Sequence, residues 1–170
     1  MVKLIESNSG NFSAGRAGHT IIRGYFHRTA VDNDTAFGEA NYFHSHVLKA
    51  SAGCFIDTNG AIVQSVRDNN TSWSVDNWDE NLISYSIEFS GLNNSKLTPK
   101  QISTAIAFIK ADPLLMNIAH HRLTVKEIPA RKVSGWGTHK DVTAGYAIAG
   151  GHTDYISEAE IAQILKGVYA

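Results

Sequence analysis

The sequence predicts an α/β fold in which a single mixed β-sheet is flanked by helices. Three observations point there. Short runs of β-branched and aromatic residues recur along the chain, an Asn-Gly pair sits between two of them, and two well-capped amphipathic segments follow in the second half. Strands and helices interleave, so one sheet covered by helices is the expected layering. The 170 residues suit one domain, spanning 1–170. With 43% hydrophobic and 18% charged residues the chain can build a core and reads as neither a disordered tail nor a coiled coil.

Each element has a local justification. Residues 1–19, rich in Gly, Ser and Asn, read as an irregular N-terminal arm. Residues 20–26 carry Ile21, Ile22, Tyr25 and Phe26 and read as a strand running into His27. After a polar loop at 31–35, Phe37, Ala40, Phe43, Val47 and Leu48 recur at roughly helical spacing. Residues 54–56 and 61–63 flank Asp57-Thr58-Asn59-Gly60, whose Asn-Gly pair supplies the positive-φ positions of a tight hairpin. A polar stretch at 67–81 holds Trp73 and Trp78. In 83–89, Ile83, Tyr85, Ile87 and Phe89 share one strand face, and Ser84, Ser86 and Glu88 share the other. Thr98-Pro99-Lys100-Gln101 is a capping box with Pro at the first helical position, followed by the stripe Ile102, Ala105, Ile106, Ile109. Residues 133–139 read as a short strand leading into a loop. Ser157-Glu158-Ala159-Glu160 is a second capping box, before Ile161, Ile164, Leu165 and Val168.

Charge and cysteine content narrow the function. Fifteen Lys+Arg against sixteen Asp+Glu give a net charge of -1, so there is no basic field for nucleic acid or an anionic membrane. No apolar run approaches the roughly 18 residues of a membrane span. No apolar segment follows Lys3, so the expectation is a protein made in the cytoplasm without a signal peptide, reaching any outside target only if something else releases it. Nothing reads as a dimer seam, and a monomer is expected. The one cysteine excludes a disulfide framework and a Cys-rich zinc finger, and Cys54 reads as a buried small hydrophobe. Eight histidines remain, so any metal here would have imidazole and carboxylate ligands.

Four places are chemically loaded, and each has a plainer reading. His27 follows a strand end, where side chains reach a cleft, although a lone histidine there is also commonly a surface residue. His139, His152 and Asp154 lie on one Gly-containing stretch. Two histidines and a carboxylate with a fourth position open to water form a catalytic zinc arrangement, although a polar flexible loop would look the same and no short zinc signature is present. Glu88 can serve as a general base in a cleft, or belong to a solvated edge strand. Trp73, Trp78 and Tyr85 can line a groove or fill the core. Lys140 and Arg28 flank the supposed site and can bind a carboxylate, or simply be solvated, and His44, His46, His120 and His121 read as surface residues.

In this order the motifs resemble the zinc-dependent N-acetylmuramoyl-L-alanine amidases of the peptidoglycan-recognition and phage-lysozyme type. The pieces are His27-Arg28-Thr29-Ala30, the hairpin segment from Ser51-Ala52 to Gly60, the aromatic segment at Trp73, Ser86-Ile87-Glu88, Thr98 to Gln101, Thr138-His139-Lys140-Asp141 and His152-Thr153-Asp154. The resemblance implies Zn²⁺ held by His27, His139 and Asp154, with Glu88 and His152 as catalytic residues. Trp73, Trp78 and Lys140 are candidate substrate contacts. Ala52 stands where some members carry a catalytic Tyr, so the chain resembles the glutamate-using branch, and Tyr155 stands where Pro often follows the closing Asp. The implied activity is cleavage of the amide between N-acetylmuramic acid and L-alanine, on a glycan strand with its stem peptide, as a phage endolysin. Two other readings share these residues: a cytoplasmic amidase recycling soluble muropeptides, and a non-catalytic peptidoglycan-binding module.

Overall fold

A computed structural model describes residues 2–170. Its centre is a six-stranded sheet in the order β1-β5-β4-β7-β3-β8, formed by β1 (Lys3–Leu4), β3 (Arg23–Arg28), β4 (Cys54–Ile56), β5 (Ile62–Gln64), β7 (Ser84–Phe89) and β8 (Gly135–Thr138). The β4–β5 hairpin is antiparallel and every other pairing is parallel, so the sheet is mixed as the sequence predicts. A second, two-stranded sheet pairs β2 (Phe12–Ser13) with β6 (Thr71–Ser72). The stretch expected to be an irregular arm thus contributes two short strands, β1 at the sheet edge and β2.

The turn at Asp57–Gly60 closes β4–β5 as expected, but only Gly60 of the Asn-Gly pair takes the positive φ; Asn59 does not. Gly60 has φ +80, the Asp57 carboxylate accepts the N–H of Asn59 and of Ala61, and Gly60 N–H donates to Asp57 C=O. The same carboxylate accepts the N–H of Ala36 at 3.3 Å, so one buried residue ties the hairpin to the start of α1 (Ala36–Ser45).

One face of the sheet buries the larger core. Phe26, Ile56, Ile87, Phe89 and Trp136 meet α3 (Pro99–Ala111) and α6 (Glu158–Val168) through Ile102, Ile109, Ile161 and Ile164. Both helices carry the predicted capping boxes, Thr98 with Gln101 and Ser157 with Glu160. The short α4 (Pro113–Met116) continues from α3. Trp136 packs flat over β3 because Gly24 leaves room, and a Cβ there would lie 2.2 Å from its ring. The opposite face carries α1, α2 (Trp78–Leu82) and α5 (His139–Gly145) over two smaller clusters centred on Tyr25 and on Phe55.

Two elements differ from expectation. Helix α1 stops at Ser45, and Phe37 and Val47, expected on its apolar stripe, are 47% and 63% exposed, while Glu39 is buried. The Phe37 ring instead lies under the Lys3 ammonium at 4.0 Å. The loop expected after β8 is the helix α5, started by a Thr138–Asp141 capping box, a form with Asp in place of the usual Glu or Gln. Arg122 lies 2.9 Å from the Asp141 carboxylate and also pairs with Glu158, linking this cap to the start of α6.

Candidate metal centre and groove

Register assembles the site. In the β3–β7 pairing His27 stands beside Glu88, Tyr25 beside Ser86 and Arg23 beside Ser84. Side chains alternate between faces, so these six all leave the sheet on the side away from the α3–α6 core. The pattern of Ser84, Ser86 and Glu88 read from the sequence is therefore not a solvated edge: all three lie in a central strand, and Glu88 is its only residue that is not fully buried.

Three donors converge at the top of β3. His139 is the first residue of α5, next to β3 through the β8 pairing. Asp154 reaches the same point from the irregular segment before α6, held by the Arg28 N–H to its carboxylate at 3.3 Å and by the Lys140 N–H to its carbonyl at 3.3 Å. His27 Nδ1 lies 3.2 Å from Asp154 Oδ2, and His139 Nδ1 lies 3.0 Å from Asp154 Oδ1. One ligand atom from each of the three residues lies within 4.8 Å of the others. Tetrahedral donors about 2.0 Å from a zinc ion stand roughly 3.3 Å apart, so this spacing and this His₂-carboxylate donor set fit zinc with a fourth position left for water.

The electrostatics agree. Burial lowers the His27 imidazole below the usual histidine range, against the opposing pull of Asp154, so the ring is neutral and able to act as a ligand near pH 7. Burial alone would raise the Asp154 carboxyl, but hydrogen bonds from His139 and His27 reverse this and hold it ionised. Burial pushes the Glu88 carboxyl well above the usual range, and the charges of Asp154 and Glu39 reinforce this. Glu88 Oε1 is 3.8 Å from His27 Nδ1, and its Oε2 is buried without a hydrogen-bond partner. A poised carboxyl beside the donor triad suits a group that takes and returns protons.

A groove of about 350 Å³ is lined by Glu88, His139, His152 and Asp154 together with Phe43, Ser51 and Trp73, while the third candidate ligand, His27, is buried beside it and does not line it. The His152 ring stacks on His139 at 5.2 Å between centroids. The Trp73 indole N–H donates to Ser13 Oγ, which fixes the ring at the wall. Trp78 and Lys140 are not among the lining residues. Trp78 is half exposed at the start of α2, and the Lys140 ammonium lies over the Tyr155 ring at 4.7 Å. Tyr85 is fully buried in the larger core. Arg28 turns its buried guanidinium to the carbonyls of Ser90 and Ser95. His44 and His46 bond backbone carbonyls on the surface, His121 pairs with Glu127, and His120 stacks on Tyr169.

Residues 17–157 match the sequence profile of the family described as N-acetylmuramoyl-L-alanine amidase. The chain belongs to this amidase family. Among solved structures, the Staphylococcus aureus hydrolase AmiA in complex with its ligand superposes with a TM-score of 0.73 at 16% identity, over 99% of this chain and 83% of that one. The N-acetylmuramoyl-L-alanine amidase LysC from Clostridium intestinale URNW gives 0.60 at 19% identity, over 98% of this chain and 99% of its own. A mutant endolysin from Bacillus subtilis gives 0.63 at 15%, over 99% and 98%. These likenesses share the amidase fold. Comparison with curated protein sequences finds no match.

Sequence reading missed the groups that support the donors. His27 Nε2 lies 3.1 Å from Ser86 Oγ, which lies 2.7 Å from Ser74 Oγ, and Ser74 Oγ donates to Asn81 Oδ1. Asp76 Oδ2 lies 3.3 Å from His139 Nε2. Ser74 and Asp76 reach the site from a loop whose course no local pattern reveals. Ser86 alone carried a signal, since it shares a strand face with Glu88.

Proposed function

We propose that this amidase hydrolyses the bond between the lactyl group of N-acetylmuramic acid and L-alanine, using zinc held by His27, His139 and Asp154, and that it lyses bacterial walls as an endolysin. The observation that carries the metal reading is the convergence of the three ligand atoms within 4.8 Å, two of their residues, His139 and Asp154, lining the groove with Glu88. When bound, zinc supplies Lewis acidity that lowers the pKa of water to about 7 and polarises the scissile carbonyl.

The chain's own groups carry the rest. Glu88 accepts the proton of the attacking water and returns it to the leaving L-alanine nitrogen, a role that suits its place on the groove 3.8 Å from His27 with Oε2 free of other hydrogen bonds. His152, which lines the groove, donates toward the oxygen that gains charge in the tetrahedral transition state. Ser86 orients His27 through Nε2 and leaves Nδ1 for the ligand role. The groove wall at Trp73 and Phe43 offers an apolar surface to the substrate. A second depression of about 410 Å³ shares Arg28, Thr29, His152 and Asp154 with this groove, so the bound strand can run from one into the other.

The endolysin setting is supported by the endolysins among the structural neighbours. No helix among the described residues is long and apolar enough to cross a membrane. The deciding experiment measures metal content by mass spectrometry on untagged protein together with wall-suspension clearing before and after chelation. One equivalent of zinc, with clearing lost on chelation and restored by zinc, is expected. Activity confined to soluble muropeptides would move the protein to the recycling role. Absence of both metal and clearing, even with zinc added, would leave only a binding module.

A further inference from the structure

The two imidazole donors are supported unequally. His27 Nε2 meets a neutral hydroxyl, Ser86 Oγ, at 3.1 Å. His139 Nε2 is buried and makes no well-aligned hydrogen bond, and the acceptor facing it is the carboxylate of Asp76, with Oδ2 at 3.3 Å. Asp76 also holds a backbone conformation that side-chain-bearing residues rarely adopt, with φ +52, in the turn before α2. Its carboxylate lines the same groove and is 43% exposed. An L-residue kept at positive φ beside a functional site is retained against a local cost, and here the side chain supplies what a glycine would not.

We propose that Asp76 is a positioning residue of the metal centre: with zinc bound, its carboxylate accepts the Nε2–H of His139 and so leaves the Nδ1 lone pair for the ion that His27 and Asp154 share. The proposal rests on the zinc reading above. A neutral imidazole has one N–H and one lone pair, so whichever acceptor takes the Nε2–H fixes Nδ1 as the ligand atom. A carboxylate in that role also raises the basicity of the ligating nitrogen more than a hydroxyl does. Asp76 is thereby the charged counterpart of Ser86, each setting the tautomer and ring plane of one histidine.

The test uses the full chain and zinc itself. Zinc affinity is measured at neutral pH by competition with a chromophoric chelator, alongside thermal unfolding of the zinc-free protein. Asp76→Gly removes the carboxylate and relieves the positive-φ position, so zinc affinity should fall by about 10- to 100-fold while the zinc-free melting temperature holds or rises. A residue with a merely structural role would move both in the same direction. Asp76→Asn keeps an acceptor oxygen without the charge and should fall between Asp76→Gly and the wild type. A wild-type protein that binds zinc, with both variants within about threefold of it, would overturn the proposal and leave the zinc reading intact. A rise in KM for peptidoglycan at unchanged zinc affinity would likewise overturn it, by making Asp76 a substrate contact. Failure of the wild type itself to bind zinc would overturn the zinc reading, and this proposal with it.

Discussion

Replacing Glu80 by Ala is expected to destabilise the fold more than any change in the groove. Glu80 and Arg23 are fully buried and meet at 2.7 Å. Glu80 Oε1 also accepts from Tyr25 OH at 2.5 Å, and Oε2 accepts from Tyr146 OH at 3.1 Å. The remaining Arg23 donors reach the carbonyls of Val133, Ile128 and Glu127. One carboxylate thus joins β3, α2, the 127–133 loop and the end of α5. Glu80→Ala leaves a buried guanidinium without its counter-charge, a loss that costs about 3–5 kcal/mol. For a chain of this size each kcal/mol lowers Tm by about 2–4 °C, so a fall on the order of 10 °C is expected. Glu80→Gln keeps an acceptor for Arg23 and Tyr25 and should cost less. Urea unfolding of the zinc-free protein, monitored by far-UV circular dichroism, gives the free energy directly. A Glu80→Ala cost below about 1 kcal/mol would refute the reasoning, because the charge would then have to be satisfied by carbonyls alone.

Two further outcomes follow from the groove. Glu88→Gln preserves shape but cannot take a proton, so the hydrolysis rate should fall by about 10²- to 10⁴-fold while zinc content stays at one equivalent; retained activity would place the base elsewhere. Burial next to Asp34 raises the Glu39 carboxyl to about 7, from an ordinary value near 4.5. The unfolded chain therefore releases this proton first, and folding stability is lost as pH rises from about 4.5 to 7. Glu39→Gln should be more stable than the parent above pH 7, by up to about 3 kcal/mol, with the gap closing below pH 4.5. Melting curves at pH 4 and pH 8 check this, and a gap independent of pH would contradict it.

What the sequence disclosed depended on whether the cause was local. The Asn59-Gly60 turn and the caps at Thr98 and Ser157 were readable because each depends on residues within three or four positions. Helix α5 was not expected because its capping box uses Asp141, and because the strand before it, Gly135–Thr138, carries two glycines that obscure the pattern. Phe37 and Val47 misled because spacing reports which residues share a helix face and not which face is covered. The donors His27, His139 and Asp154 became visible only through the ordered series of motifs, since their nearness is a product of sheet register. Ser74 and Asp76 had no such signal.

The fate of β3 shows why the two ends of one strand had to be read differently. Its six residues are all buried, yet Arg23, Tyr25 and His27 are polar on one face, which is unusual for a central strand in a largely parallel sheet. At the Arg23 end the polar groups are satisfied by Glu80 and three carbonyls, and the chain closes over them. At the His27 end two acidic carboxyls, Asp154 and Glu88, face the ring beside an open groove, and Glu88 Oε2 has no hydrogen-bond partner among the described residues. A network satisfied from within is rigid, and one left short of a positive charge calls for a cation. The closed end therefore fixes the strand, and through the Tyr146 link to Glu80 it also fixes the far end of α5, whose first residue is His139. The spacing of the candidate ligand atoms is set from below, by a buried ion pair, Arg23 with Glu80, that does not line the groove.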